Sequence, residues 1–291
     1  MTATLCLIAF AAALGFAGAA QAAAPVKLVA AENFYGGIAQ AIGGPDAEVA
    51  SIMSNPDQDP HLFETSPSVV RELADAQIVV LNGADYDPWM EKLIAAAPRP
   101  GRVDNNVADL MGKKPGDNPH LWYDPATMPK AAQAIADALG KADPAHAADY
   151  AARLQATLAD LAKVQERAKA LRAKWAGTPV TATEPVFGLM AEAVGLKMRN
   201  QSFQIAMMND TEPSAKDVAA FEDDLRHHKV KALLYNKQVS SKVTQRLIDI
   251  ANKAKVPVVA VTETQPADMS FQDWMLGELT ALDKALSGPN S

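Results

Sequence analysis

The chain has 291 residues, of which 49% are apolar and 21% charged. That supports a sizeable core, in one large or two ordinary domains. A net charge of −7 argues against a general nucleic-acid binder. With 16 Gly and 19 Pro, collagen-like and disordered chains are also excluded.

Leu5 to Ala20 is almost wholly apolar, and Ala20-Gln21-Ala22 is a small-x-small site. The expectation is a signal peptide over residues 1–22, removed near Ala22 or Ala24. The run is short for a membrane span. The single cysteine, Cys6, lies at the start of that run, whereas a lipoprotein cysteine would follow it. No lipid anchor is expected, and the mature chain has no thiol for a disulfide or a nucleophile.

Beyond the leader, β-branched runs alternate with helical patterns. Val26 to Ala31, Glu48 to Met53 and Ile78 to Asn82 predict strands. Phe34 to Ile42, Val69 to Asp75 and Pro88 to Ala97 predict helices. Alternation of this kind argues for βα units around a mostly parallel sheet. Gly36-Gly37 and Gly43-Gly44 suit tight packing or a turn, and no phosphate-binding glycine loop has the usual spacing.

Asp143-Pro144 offers an N-cap and a proline at the first helical position. From there to Trp175 nothing breaks a helix. Tyr150, Leu154, Leu158, Leu161, Val164, Ala168, Leu171 and Trp175 recur at steps of three and four, so one apolar stripe runs down a rod of about 45 Å. The βα alternation then resumes, with strands at Val180 to Thr183, Val230 to Tyr235 and Val258 to Val261. Helices follow at Val186 to Val194, Ser214 to His228, Lys242 to Ala254 and Phe271 to Leu286. The predicted fold is α/β: two βα lobes with mostly parallel sheets, joined by one long backbone helix. The lobes span residues 23–142 and 177–291, and the linking helix residues 143–176.

Of five histidines, His146, His227 and His228 fit surface positions. His61 and His120 differ, because each directly follows a loop proline, which stiffens the chain and fixes the direction of an imidazole. Each has an aromatic residue close behind, Phe63 and Trp122. Imidazole is the commonest neutral ligand for transition metals. Two acids, Glu184 and Glu263, lie just past predicted strands, where open α/β sheets bind ligands. His61-x-x-Glu64 is half of a metallohydrolase pattern, but no second histidine lies four positions away.

Five segments, in order, resemble the cluster A-I (TroA-like) substrate-binding proteins of metal ABC importers. They are DQDPHLFETSPSVVRELADAQIVVLNG from Asp57, NPHLWYDP from Asn118, EPVFGLMAEAVGL from Glu184, TEPS from Thr211 and VPVVAVTETQP from Val256. The resemblance implies two lobes hinged slightly on a backbone helix, with one divalent ion held between them by His61, His120, Glu184 and Glu263. It implies a periplasmic receptor, not an enzyme, that delivers the ion to a membrane ABC permease and works as a monomer without nucleic acid.

Two departures bear on the cargo. The fourth position is Glu263 where the family more often has Asp, and the third is Glu184 where zinc members commonly have His. Two imidazoles with two carboxylates make a harder set than three imidazoles with one. Bidentate carboxylates would raise the coordination number, so manganese is the favoured Mn2+ cargo, with Zn2+ or Fe2+ as alternatives. Two other readings stay open: a secreted metallohydrolase using Glu64, and a solute or metal-chelate receptor with Trp122, Phe187 and Phe203 as aromatic walls.

Overall fold

The computed structural model describes residues 24–55, 63 and 66–288. The expected leader lies outside the described residues.

The first lobe begins β1 (Val26–Glu32), α1 (Asn33–Gly43), β2 (Ala47–Met53), α2 (Pro67–Asp75), β3 (Ile78–Leu81) and α3 (Pro88–Ala96). It continues through β4 (Val103–Asn106), α4 (Val107–Met111) and α5 (Thr127–Ala142). Its sheet has the order β2-β1-β3-β4, and every pairing is parallel. Parallel strands covered on both faces read as continuous apolar runs, and β3 (IVVL) is buried throughout. Gly43 ends α1 where a side chain would overlap the next strand: a Cβ there would lie 2.5 Å from Ala47 Cβ.

The second lobe repeats the plan. It holds β5 (Pro179–Ala182), α7 (Gly188–Val194), β6 (Lys197–Arg199), α8 (Gln201–Met208) and α9 (Ala215–Arg226). Then come β7 (Leu233–Asn236), α10 (Lys242–Lys253), β8 (Val258–Val261) and α11 (Phe271–Ser287). The order is β6-β5-β7-β8, again all parallel. Helix starts follow local chemistry. Ser214 accepts from the Asp217 N–H at 3.1 Å, and Ser241 with Thr244 forms a reciprocal capping box.

Between the lobes runs α6 (Ala147–Trp175), 29 residues or about 44 Å. Its stripe is as predicted: Tyr150, Leu154, Leu161, Val164, Ala168 and Leu171 are buried, while Leu158 and Trp175 pack partly buried beside them. One detail differs. A 3-10 turn, Pro144–His146, precedes the α-helix, and Asp143 is not its side-chain cap. The Asp143 carboxylate instead lies 2.6 Å from His146 Nδ1 and accepts from Tyr150 O–H at 3.0 Å.

One apolar core is continuous through both lobes by way of α6 and α11. Two smaller clusters lie on outer faces, around Leu73, Val79 and Met90 in the first lobe and around Phe203, Phe221 and Leu247 in the second. A shared core opposes large rotation of the lobes, because separating them would expose packed apolar surface. Among the described residues, no helix is long and apolar enough to cross a membrane.

Candidate metal centre

The loops past the carboxyl ends of the two sheets face each other between the lobes. Glu184 stands two residues past β5, Glu263 two residues past β8, and His120 in the loop between α4 and α5. All three are buried, at 8%, 2% and 1% exposure. His61, Glu64 and the prolines before His61 lie outside the described residues. Phe63, two positions on, stacks against Trp89 with ring centroids 4.3 Å apart.

The loop carrying His120 is held from below. Asp87 is buried and accepts the backbone N–H groups of Asn82 and Gly83, both at 2.7 Å. Burial pushes the Asp87 carboxyl up to about 6, against those hydrogen bonds. Burial and then the charge of Asp87 hold the neighbouring Glu32 carboxyl well above the usual range. Tyr35 O–H donates to Asn82 Oδ1 at 2.8 Å, and Asn82 Nδ2 donates to the Pro119 carbonyl at 2.8 Å. The turn from Gly83 to Asp85 has φ of +74°, +52° and +63°, a strained run that presents Tyr86 to the site.

His120 is oriented by Asn118. The Asn118 Nδ2 donates to the Pro185 carbonyl of the other lobe at 2.8 Å, so its Oδ1 faces the ring. That oxygen lies 2.7 Å from His120 Nδ1, which therefore carries the proton, and it also accepts the His120 backbone N–H at 3.1 Å. The tautomer leaves the Nε2 lone pair for a ligand, the arrangement that orients metal-binding histidines. Gly188 makes the tie possible, since a Cβ there would meet Asn118 Nδ2 at 2.8 Å. Tyr86 and Trp122 enclose the ring edge to face, with centroids 5.9 and 5.4 Å away.

His120 Nε2 and Glu263 Oε2 lie 3.6 Å apart. That is beyond a good hydrogen bond. It is near the ~3.3 Å expected between two ligands that each stand roughly 2.0–2.1 Å from a tetrahedral ion. Tyr86 O–H donates to the same Glu263 oxygen at 3.3 Å. The other oxygen, Oε1, accepts from Asn236 Nδ2 at 2.5 Å, and Glu184 Oε2 accepts from the same nitrogen at 2.6 Å. Gln238 Oε1 receives the backbone N–H groups of Glu263 and Thr264 at 2.5 and 3.1 Å. One imidazole nitrogen and one carboxylate oxygen thus face each other, a pair of donors of the kind that divalent cations take.

Of the four predicted ligands the structure sets His120 against Glu263 and links Glu184 to Glu263 only through Asn236; among the described residues no three His, Cys, Asp or Glu side chains form a group that could hold a metal ion. Asn118, Tyr86, Asn236 and Gln238 were not singled out in the sequence. Trp122, Phe187 and Phe203, considered as walls for a larger solute, are core residues, all at most 1% exposed. A cavity of about 400 Å3 adjoins Asn118 and Pro185, but His120, Glu184 and Glu263 do not line it.

The sequence model of the family described as "ZnuA: Zinc-uptake complex component A periplasmic" matches residues 28–285. The chain belongs to this family. Its members are substrate-binding proteins for metal uptake and not enzymes. The high-affinity zinc uptake system protein ZnuA of Paracoccus denitrificans is 23% identical over 258 residues, covering 75% of this chain and 78% of that protein. The manganese-binding lipoprotein MntA of Halalkalibacterium halodurans is 27% identical over 144 residues, 48% of each chain. The periplasmic zinc-binding protein TroA from Treponema pallidum shares the fold with a TM-score of 0.72 at 19% identity, over 91% of this chain and 99% of that one.

Proposed function

We propose that this member of the ZnuA family captures one divalent transition metal between its lobes through His61, His120, Glu184 and Glu263, and hands it to a membrane ABC permease. The convergence of His120 Nε2 and Glu263 Oε2, from opposite lobes, carries this reading. Two ligands from each lobe make metal occupancy sensitive to how the lobes sit, which couples loading to recognition by a permease. The mature receptor begins after residue 22, carries no lipid anchor and acts in the periplasm as a monomer, with lobes at residues 23–142 and 177–291 and the linking helix at 143–176.

The test is titration of chelator-stripped protein with zinc, manganese and ferrous ions, each alone. Wild type takes up one ion per chain. His61→Ala, His120→Ala, Glu184→Ala and Glu263→Ala each weaken it severely while keeping the unfolding midpoint of stripped protein. Wild-type affinity in all four variants would refute the assigned ligand set.

A further inference from the structure

We infer that the cavity between the loop ahead of His120 and helices α7 and α8 is a binding site for a small organic ammonium ion, an apolar body that carries a charged N–H donor. The inference goes beyond the metal site and does not depend on its ligand set.

The cavity holds about 400 Å3, on the scale of small-molecule sites at about 300–1,000 Å3, and it lies between two lobes, where such sites concentrate. The first lobe supplies Asp117 and Asn118, and the second supplies α7, β6 and one face of α8. On α8, Gln204, Ile205 and Met208 fall at helical spacing along that face. Ile205 and Met208, with Met198 of β6, give an apolar wall, and thioether side chains adapt to varied shapes. Ile205 is 51% exposed, a large apolar side chain that the fold leaves uncovered.

Two observations point to a cation with a donor. Among the described residues that line the cavity, the charged ones are Asp117 and Glu192, both acids. Arg199, next in the chain to Met198, is turned to Asp224 by hydrogen bonds of 2.7 and 2.9 Å. The charge of the wall therefore attracts cations and repels anions. The second observation is Gln204, which lines the cavity at 2% exposure. Its Nε2 donates to the Arg199 carbonyl at 2.7 Å, which fixes the amide orientation. Its Oε1 has no partner among the described residues, so a ligand that displaces water there must bring an N–H or O–H. Asn118 is already committed to Pro185 and His120 and adds wall rather than an acceptor.

The probe is hexylammonium, with hexanoate as the control of equal length and opposite charge. Binding to the full chelator-stripped chain is followed by the methyl NMR signals of Met198 and Met208, assigned through single Met→Leu variants. Hexylammonium is expected to shift both signals saturably at millimolar concentration, the scale for so small a ligand. Hexanoate should leave them in place. Gln204→Met removes the acceptor and should weaken the amine about tenfold or more. Ile205→Lys puts a like charge on an exposed position and should abolish the shifts. Because Ile205 is exposed, that variant and the wild-type comparison stand even if Gln204→Met fails to fold.

Equal shifts from hexanoate, no saturable shift from hexylammonium, or an unchanged response in Ile205→Lys would each overturn the inference. So would tighter binding of N-acetyl-lysine methylamide than of hexylammonium, because the site would then take a lysine borne on a polypeptide rather than a free solute.

Discussion

Glu278 on α11 is half-buried behind the site, against the Thr262 backbone next to Glu263. Its Oε1 accepts from the Thr262 backbone N–H at 3.2 Å and from Trp274 Nε1 at 2.9 Å. Tyr123 O–H lies 2.7 Å from both the Thr262 carbonyl and Glu278 Oε2. One phenolic proton cannot serve two acceptors. Glu278 must supply the second proton, donating from Oε2 to the phenol while the phenol donates to Thr262. Burial pushes this carboxyl up from 4.5 to about 8, against its hydrogen bonds. The proton count and the electrostatics agree that Glu278 is neutral at pH 7.

A raised acid binds its proton in the folded state and releases it on unfolding. Its stability contribution is therefore complete below pH 4.5 and is lost as pH rises through about 8. The interval between those values corresponds to about 5 kcal/mol. Glu278→Gln keeps the same donors and acceptors and removes the titration. Urea unfolding of metal-free protein at pH 5 and pH 9 checks the argument. The variant should be near wild type at pH 5 and more stable by roughly 3–5 kcal/mol at pH 9. A difference independent of pH would refute the assignment of the proton.

Other consequences follow from individual contacts. Asn118→Ala removes the acceptor for His120 Nδ1 and the tie to Pro185, so metal affinity should fall at least about tenfold; isothermal titration measures it, and unchanged affinity would show that the histidine orients itself. Gly43→Ala forces a Cβ to within 2.5 Å of Ala47 Cβ and should cost about 1–3 kcal/mol by denaturant unfolding. Tyr86→Phe deletes the hydroxyl that donates to Glu263 Oε2 and should weaken metal binding several-fold without changing the unfolding midpoint of stripped protein.

Strands with β-branched apolar runs were legible, the edge strands β2 and β8 among them, and β8, Val258–Val261, matches its prediction residue for residue. The edge strands β4 and β6 were not. β4 reads VDNN and β6 has three residues, KMR, because an edge facing solvent needs little apolar side chain. The acids past β5 and β8 were legible from their position in the chain. The residues that aim them were not: Asn236 and Asn118 act through partners 27 to 67 positions away, and no local pattern marks an amide for that use.

The most direct measurement is a crystal structure of metal-loaded protein with anomalous data collected on both sides of the metal's absorption edge. The account predicts one peak between the lobes, within bonding distance of His61, His120, Glu184 and Glu263. A peak elsewhere, or one coordinated without Glu263 or His120, would contradict it.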